Sequence, residues 1–456
     1  MYDPIIPHPP ACCKRIRARR PASVSRRPLH PAPCYDRITG MDTQLPIKRP
    51  LWTRDFIIIT LGTVVSTFGN AVSGFAIGLL VLDYTESVLL YALYMICYSL
   101  PRIILPLLAG PYLDRFERKR VIYTLDFISA GLFLVIYALV RLDLFQYGLF
   151  LLLAMLVGAI DSVYTVAYES LYPTLISKGN FARAYSISSL IYPLATTIMV
   201  PIAGVCYRTI GIAPLFLFNA ASFLVAALFE TRIRAVEAHA ARRTAEPFRF
   251  RRFRSDLKDG LDYLRRERGL ATITAYFFCT TLCSSIVGTL VLPYFRSLGT
   301  TGIDQYTVIM SVATAGRLIG GVIHYQFKYP VHRKFQIAIF VYLTISVLDG
   351  TYLYMPFPVM LAFNLLVGIL GVTSFNIRIS GTQSYVADEM RGRFNGIFQM
   401  LNILGGIIGQ LAAGAVGELL PARPVVLAAM ALNIVCVLFV MLPGGAHVKK
   451  IYNVDV

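Results

Sequence analysis

Charged side chains are scarce in this chain. Asp, Glu, Lys and Arg make up 15% of its 456 residues, against roughly a quarter in soluble globular proteins. Apolar residues reach 56% and the mean hydropathy is +0.62, more than a soluble core of this length could hide. Histidine occurs 6 times and never clusters with Asp or Ser at helix spacing, so the chain lacks the constellation a membrane-embedded enzyme would need. No Gly-x-x-x-x-Gly-Lys-Ser/Thr element is present, which argues against ATP-driven work by this chain. The 8 cysteines give no disulfide framework. Cys12, Cys13 and Cys34 lie near the N-terminus; Cys97, Cys206, Cys279, Cys283 and Cys436 fall in apolar runs. Cys279 and Cys283 share a helix face but have no His or carboxylate neighbour, so neither metal nor cofactor is expected.

What is abundant is apolar sequence in runs of about 20 residues, the length that spans a bilayer as helix. The pattern predicts spans near 55–82, 88–113, 121–140, 146–169, 183–206, 212–230, 269–295, 304–327, 335–354, 357–380, 394–417 and 423–443. The expected fold class is an all-α membrane protein of twelve helices. The net charge of +18 is explained by placement rather than by nucleic-acid binding: 36 of the 43 Lys and Arg fall on the side that holds both termini. Positive charge marks the cytoplasmic side, so both termini are expected in the cytoplasm and the protein in the cell membrane. Residues 1–50 are rich in Pro and Arg and are expected to be a disordered extension, with Met41 a candidate start. The six-helix units are expected at 51–232 and 269–445. Between them, 233–268 is a basic linker with an amphipathic helix suited to an anionic leaflet, and 446–456 is a cytoplasmic tail.

The two units look like copies of one template. An offset of 210 residues aligns FGNAVSGFAIGLLVLDY (68–84) with FCTTLCSSIVGTLVLPY (278–294), Gly110 with Gly320, and Arg183 with Arg393. Parallel six-span repeats are one way secondary transporters build a central site.

Between the second and third spans lies LAGPYLDRFERKRVIY (108–123). Gly110 allows close helix approach, and Asp114 sits where it can accept from a helix N-terminus or pair with Arg. At Gly110, Asp114, Arg115, Arg118 and Lys119 the chain resembles the major facilitator superfamily. Glu117, in place of a second Gly, is similar to the branch of macrolide-efflux and siderophore exporters. YPTLISKGNFARAYS (172–186), with Arg183, and DEMRGRFNGIFQ (388–399), with Arg391 and Arg393, extend the likeness over roughly residues 51–445. The chain departs from the family pattern at two places. TTIMVPIAGV keeps Pro201 and Gly204 but not the full fifth-span element of proton antiporters, and His324 replaces the second half's Asp. The resemblance implies that the charged turn latches the cytoplasmic side, with Asp126 supporting it or contacting substrate. It implies two symmetric six-helix bundles working as a monomeric secondary transporter, with no enzyme activity. The expected cargo is a small amphipathic molecule exported by alternating access with protons as coupling ion; uptake of a metabolite is the alternative.

Ionisable groups within spans are costly and mark candidate sites. Arg102 and Asp161 each lie twelve residues from a cytoplasmic edge, roughly 18 Å deep, so an ion pair between them is geometrically possible. Asp161 is the candidate proton carrier, or else a static partner of Arg102. Tyr164, Thr165, Tyr168 and Glu169 follow it on a polar stripe expected to face water or protein; the resemblance implies that this span lines the central cavity, and Glu169 belongs alternatively to the cytoplasmic turn. Arg317 is the deep cation of the second half, Arg378 a shallower one, and Asn70 either glues helices or meets substrate. The 27 Tyr and 28 Phe suit a cavity for aromatic ligands as well as packing and interface belts.

Overall fold

The computed structural model describes residues 50–103, 105, 116–177, 180–234, 250–326 and 330–454; the expected N-terminal extension and the turn residues Gly110, Asp114 and Arg115 lie outside them. Helices α1 (Arg54–Thr85), α2 (Val88–Ser99), α3 (Arg118–Arg141), α4 (Tyr147–Leu175), α5 (Phe181–Ile210) and α6 (Ala213–Glu230) form the first half. A short helix α7 (Phe250–Arg266) precedes the second half, built from α8 (Arg268–Ser297), α9 (Thr300–Gln326), α10 (Lys334–Thr351), α11 (Phe357–Tyr385), α12 (Asp388–Gly417) and α13 (Ala422–Cys436). A terminal helix, α14, spans Gly445–Tyr452. Among the described residues, 11 helices are long and apolar enough to cross a membrane; α2 supplies the described part of a twelfth.

Large apolar side chains such as Leu134, Leu152, Phe340 and Phe439 are exposed on the outside of the bundle. A soluble protein would not leave so many such surfaces in water; here lipid covers them. Helices form because their backbone groups have no other partner in hydrocarbon.

Packing repeats between the halves. In the first, α1 packs on α5 and α6, α2 on α4, and α3 on α4 and α6. In the second, α8 packs on α12 and α13, α9 on α11, and α10 on α11 and α13. The 210-residue register reaches further than the sequence blocks suggested. It places Gly158 of α4 on Gly368 of α11. A Cβ on Gly158 would lie 2.0 Å from the Tyr98 carbonyl of α2, and one on Gly368 would lie 2.2 Å from the Ala313 carbonyl of α9. Both positions need glycine because helix backbones touch there, as small residues permit in membranes. Polar ties repeat as well. Asn219 Nδ2 donates to Ser73 Oγ at 2.7 Å in the first half. In the second, Asn433 Nδ2 donates to Ser346 Oγ at 2.9 Å, and Asn433 Oδ1 accepts from Thr280 at 3.0 Å.

The halves meet along two seams, α2 against α12 and α5 against α9, which exchange under the repeat. Glycines thin both: Gly414 approaches Ala92 and Leu89, and Gly204 approaches Thr307.

Two segments outside the main spans also rest on the second half, the first of them after α13. In α14, Val448, Ile451 and Tyr452 are buried, Tyr452 meets the Tyr342 hydroxyl at 3.1 Å, and Lys334 Nζ donates to the Val454 carbonyl at 2.7 Å. Its apolar side, too weakly hydrophobic to register as a span, finds cover against α8, α10 and α11. The linker helix α7 likewise rests on protein: Leu264 is buried, Gly260 abuts Ile397 of α12, and Asp259 lies 3.8 Å from Arg393.

Candidate functional site

Between the halves lies a cavity of about 430 Å³. Helix α4 gives it Ser162, Thr165 and Glu169, and α2 gives Arg102. From the second half come Thr281 of α8 and Gln399, Asn402 and Gln410 of α12. Val166, Ile403 and Ile407 supply an apolar patch.

The pair that equal depth made possible is formed: Arg102 Nε lies 3.6 Å from Asp161 Oδ2. Tyr98 also donates to that oxygen, at 3.4 Å. Arg102 stands over the Tyr98 ring at 5.9 Å. Asp161 therefore receives two donors from α2, held at close range by the glycine contact at Gly158.

The polar stripe of α4 divides. At 3.6 residues per turn, Thr165 and Glu169 lie to one side of Asp161 and reach the cavity with Ser162. Tyr164 and Tyr168 lie to the other side and turn into the first half, where Tyr164, Tyr168 and Tyr172 stack in sequence with centroids 6.0 and 5.1 Å apart. The two tyrosines thus face protein, while the other side of the stripe faces the cavity. Beside Tyr164, Asp126 of α3 and Glu230 of α6 face each other, each 1% exposed. Asp126 Oδ2, both Glu230 oxygens and the Tyr164 hydroxyl make no hydrogen bond of ordinary geometry. Glu230 is a buried acid the sequence reading passed over, because its place at a span end looked like a loop charge.

The remaining candidates lie apart. Arg317 interacts with Asp349 of α10 rather than lining the cavity. Asn70 Oδ1 accepts from Asn219 at 3.5 Å, a tie between α1 and α6. Arg378 is enclosed by Phe277, Phe375 and Phe398, with centroid distances of 5.1, 5.3 and 4.7 Å. Among the described latch residues, Arg118 donates to the Ser170 carbonyl at 3.1 Å, Lys119 lies 3.9 Å from Glu117, and Arg391 Nη2 donates to the Val386 carbonyl at 3.5 Å. Arg183 is exposed at the start of α5. Many aromatic side chains pair within a half, others such as Phe340 and Phe439 face outward, and among the described residues lining the cavity none is aromatic.

At the end of the bundle far from the basic turns, charges join the halves. Arg296 Nε of α8 lies 2.7 Å from Asp83 Oδ1 of α1, and Tyr207 of α5 donates to Asp83 Oδ2 at 2.7 Å. Arg208 of α5 pairs with Asp304 of α9 at 2.6 Å. Glu418, just beyond α12, accepts from the Leu89 backbone N–H at 2.9 Å and from the Ser87 hydroxyl, which places a carboxylate at the N-terminus of α2. Asp83, Tyr207, Asp304 and Glu418 are not singled out by the sequence pattern. The available signal was that the side poor in Lys and Arg nonetheless places an acid close to its few arginines.

Two homologous six-helix halves around a central polar cavity, bridged by ion pairs at one end, define a polytopic transporter rather than an enzyme. The Major Facilitator Superfamily model matches residues 59–402, and the chain belongs to that superfamily. It is 27% identical over 363 residues to the uncharacterized MFS-type transporter YkuC of Bacillus subtilis (strain 168), covering 75% of this chain and 81% of that one. It is 24% identical over 386 residues to the multidrug efflux pump Tap of Mycobacterium tuberculosis (strain ATCC 25618 / H37Rv), covering 83% and 90%. Among solved structures it is similar to the nucleoside transporter NupG, with a TM-score of 0.65, 13% identity, and coverage of 87% and 99%. It is also similar to a bacterial homologue of the iron transporter ferroportin in the inward-facing state, with a TM-score of 0.62, 16% identity, and coverage of 84% and 98%.

Proposed function

We propose that this transporter exports a small amphipathic molecule across the cell membrane by alternating access, with protons as the coupling ion and both termini in the cytoplasm. The observation that carries the reading is the interhalf cavity with Arg102 on its wall and Asp161 paired to that arginine just behind it. A carboxylate that shares its cation and a tyrosine hydroxyl can trade those partners for a proton when substrate arrives, which is how one site links two fluxes. The far-end ion pairs hold one face shut. The basic turns, with Asp114 as the latch expected from the family likeness, bias the opposite closure. The likeness to a pump whose name states multidrug efflux supports the outward direction.

The test is drug accumulation in cells lacking endogenous pumps, with and without a protonophore, comparing the wild type with Asp161→Asn. The expected result is lowered accumulation that the protonophore and the substitution both abolish. Accumulation raised by the protein points to uptake, and export that persists after collapse of the proton gradient rules out the coupling.

A further inference from the structure

The cavity wall carries information about what it holds. Follow its protons first. Thr165 Oγ1 donates to the Asp161 carbonyl at 2.8 Å. Thr281 Oγ1 donates to Asn402 Oδ1 at 2.7 Å, and Asn402 Nδ2 donates to the Phe398 carbonyl at 2.7 Å. Each hydroxyl spends its one hydrogen inside the protein, while the Asn402 amide keeps a second N–H. A hydroxyl that donates its one proton keeps lone pairs, so Thr165 and Thr281 meet an occupant as acceptors. Among the described residues, Gln410 Oε1 and the Ser162 hydroxyl find no hydrogen-bond partner, a cost in a buried wall, and Ser162 is 3% exposed.

Charge points the same way. Arg102 is offset by Asp161 at 3.6 Å. Glu169 is exposed on the wall and has no cationic partner among the described residues. The described wall therefore holds one negative charge with no cationic partner among the described residues, flanked by the acceptor hydroxyls of Thr165 and Thr281 and by the amides of Gln399, Asn402 and Gln410, which both accept and donate, beside an aliphatic patch of Val166, Ile403 and Ile407. Quaternary ammonium groups are recognised by aromatic faces, and none is present on the described wall. An ammonium that bears N–H bonds satisfies acceptors and carboxylate together, through charge-assisted hydrogen bonds.

We propose that the cavity between α4 and α12 is a site for amphipathic primary or secondary amines, with the ammonium held by Glu169 and the wall's oxygen acceptors and the hydrocarbon part on Val166, Ile403 and Ile407. This rests on the reading of the cavity as the transport site and narrows its substrate class.

The matched probes are hexylammonium and hexyltrimethylammonium, which share charge and chain and differ in N–H donors. Each is titrated by ligand-observed NMR against the full-length protein in lipid nanodiscs. Hexylammonium is expected to bind at least about tenfold more tightly, the value of one or two charge-assisted hydrogen bonds. Glu169→Gln is expected to remove that preference while Glu169→Asp keeps it, and both variants must match the wild type in thermal unfolding. Equal affinity for the two probes, a preference unchanged in Glu169→Gln, a preference lost equally in Glu169→Asp, or no binding of hexylammonium overturns the assignment. Protonophore-sensitive export of other drugs alongside any of those outcomes leaves the transport reading standing and this one refuted. Hexylammonium binding without proton-dependent export does the reverse.

Discussion

Arg296 of the second half reaches across the seam to Asp83 of the first, Nε to Oδ1 at 2.7 Å, and Tyr207 completes the carboxylate from α5. Both partners are about a quarter to a third exposed, so the pair is only part-screened. Its contribution to closure is expected at roughly 1 kcal/mol, about fivefold in the open-to-closed ratio. Asp83→Asn is expected to raise labelling of cysteines placed at the far end by that factor. The reversal Asp83→Arg with Arg296→Asp is expected to restore closure. Labelling unchanged in the single variant would show that the pair does not gate.

Glu418 makes the same end sensitive to acid. The Leu89 N–H, then the Ser87 hydroxyl, hold its carboxyl below the ordinary glutamate value. A group whose folded pKa is depressed stabilises the contact above its unfolded value, near pH 4.3, and loses that stabilisation as pH falls through the folded one. Far-end labelling is expected to rise on acidification below about pH 4, and Glu418→Gln to flatten that limb of the profile. A limb that survives unchanged in Glu418→Gln shows that Glu418 is not its source.

Gly158 positions the buried pair through backbone contact. With a Cβ site 2.0 Å from the Tyr98 carbonyl, Gly158→Val is expected to destabilise by roughly 1–3 kcal/mol and to part α2 from α4. Transport should be lost together with the Arg102–Asp161 pair, read as a lowered unfolding midpoint in detergent and loss of drug export. Gly131, with open space around its Cβ site, is the control and should accept Ala in both assays.

The terminal helix is expected to behave as part of the second half. Tyr452 is 1% exposed beside Tyr342. Tyr452→Ala should cost roughly 3–5 kcal/mol, and Tyr452→Phe, which removes only the hydroxyl contact, about 1 kcal/mol. Thermal unfolding of the purified protein ranks the two; equal midpoints would mean the helix is peripheral.

The fold was legible because apolar run length and Lys/Arg asymmetry are direct consequences of a bilayer. The repeat was legible for the same reason, since the register that matched Phe68 with Phe278 also holds Gly158 against Gly368. The site was only half legible. Equal depth sufficed to bring Arg102 to Asp161, yet helical spacing could not say which side of the α4 stripe the second half would face. Tyr164 and Tyr168 went inward, and Ser162 took a place on the wall. The abundance of aromatics was a poor guide, because rings such as Phe133 and Phe223 find each other within a half, 5.7 Å apart. The far-end pairs and the Asp126–Glu230 couple depend on contacts between spans that are remote in sequence, which no local pattern encodes.

The carboxylate of Glu418 has one further effect. Helix α2 of one half begins on a charge delivered by the other, beside its own Ser87 cap on the Leu90 N–H. When the halves part there, the Leu89 N–H exchanges that anion for water. The helix that pivots is therefore held most firmly at its start while the far end is shut, and that difference favours closure without any added ligand.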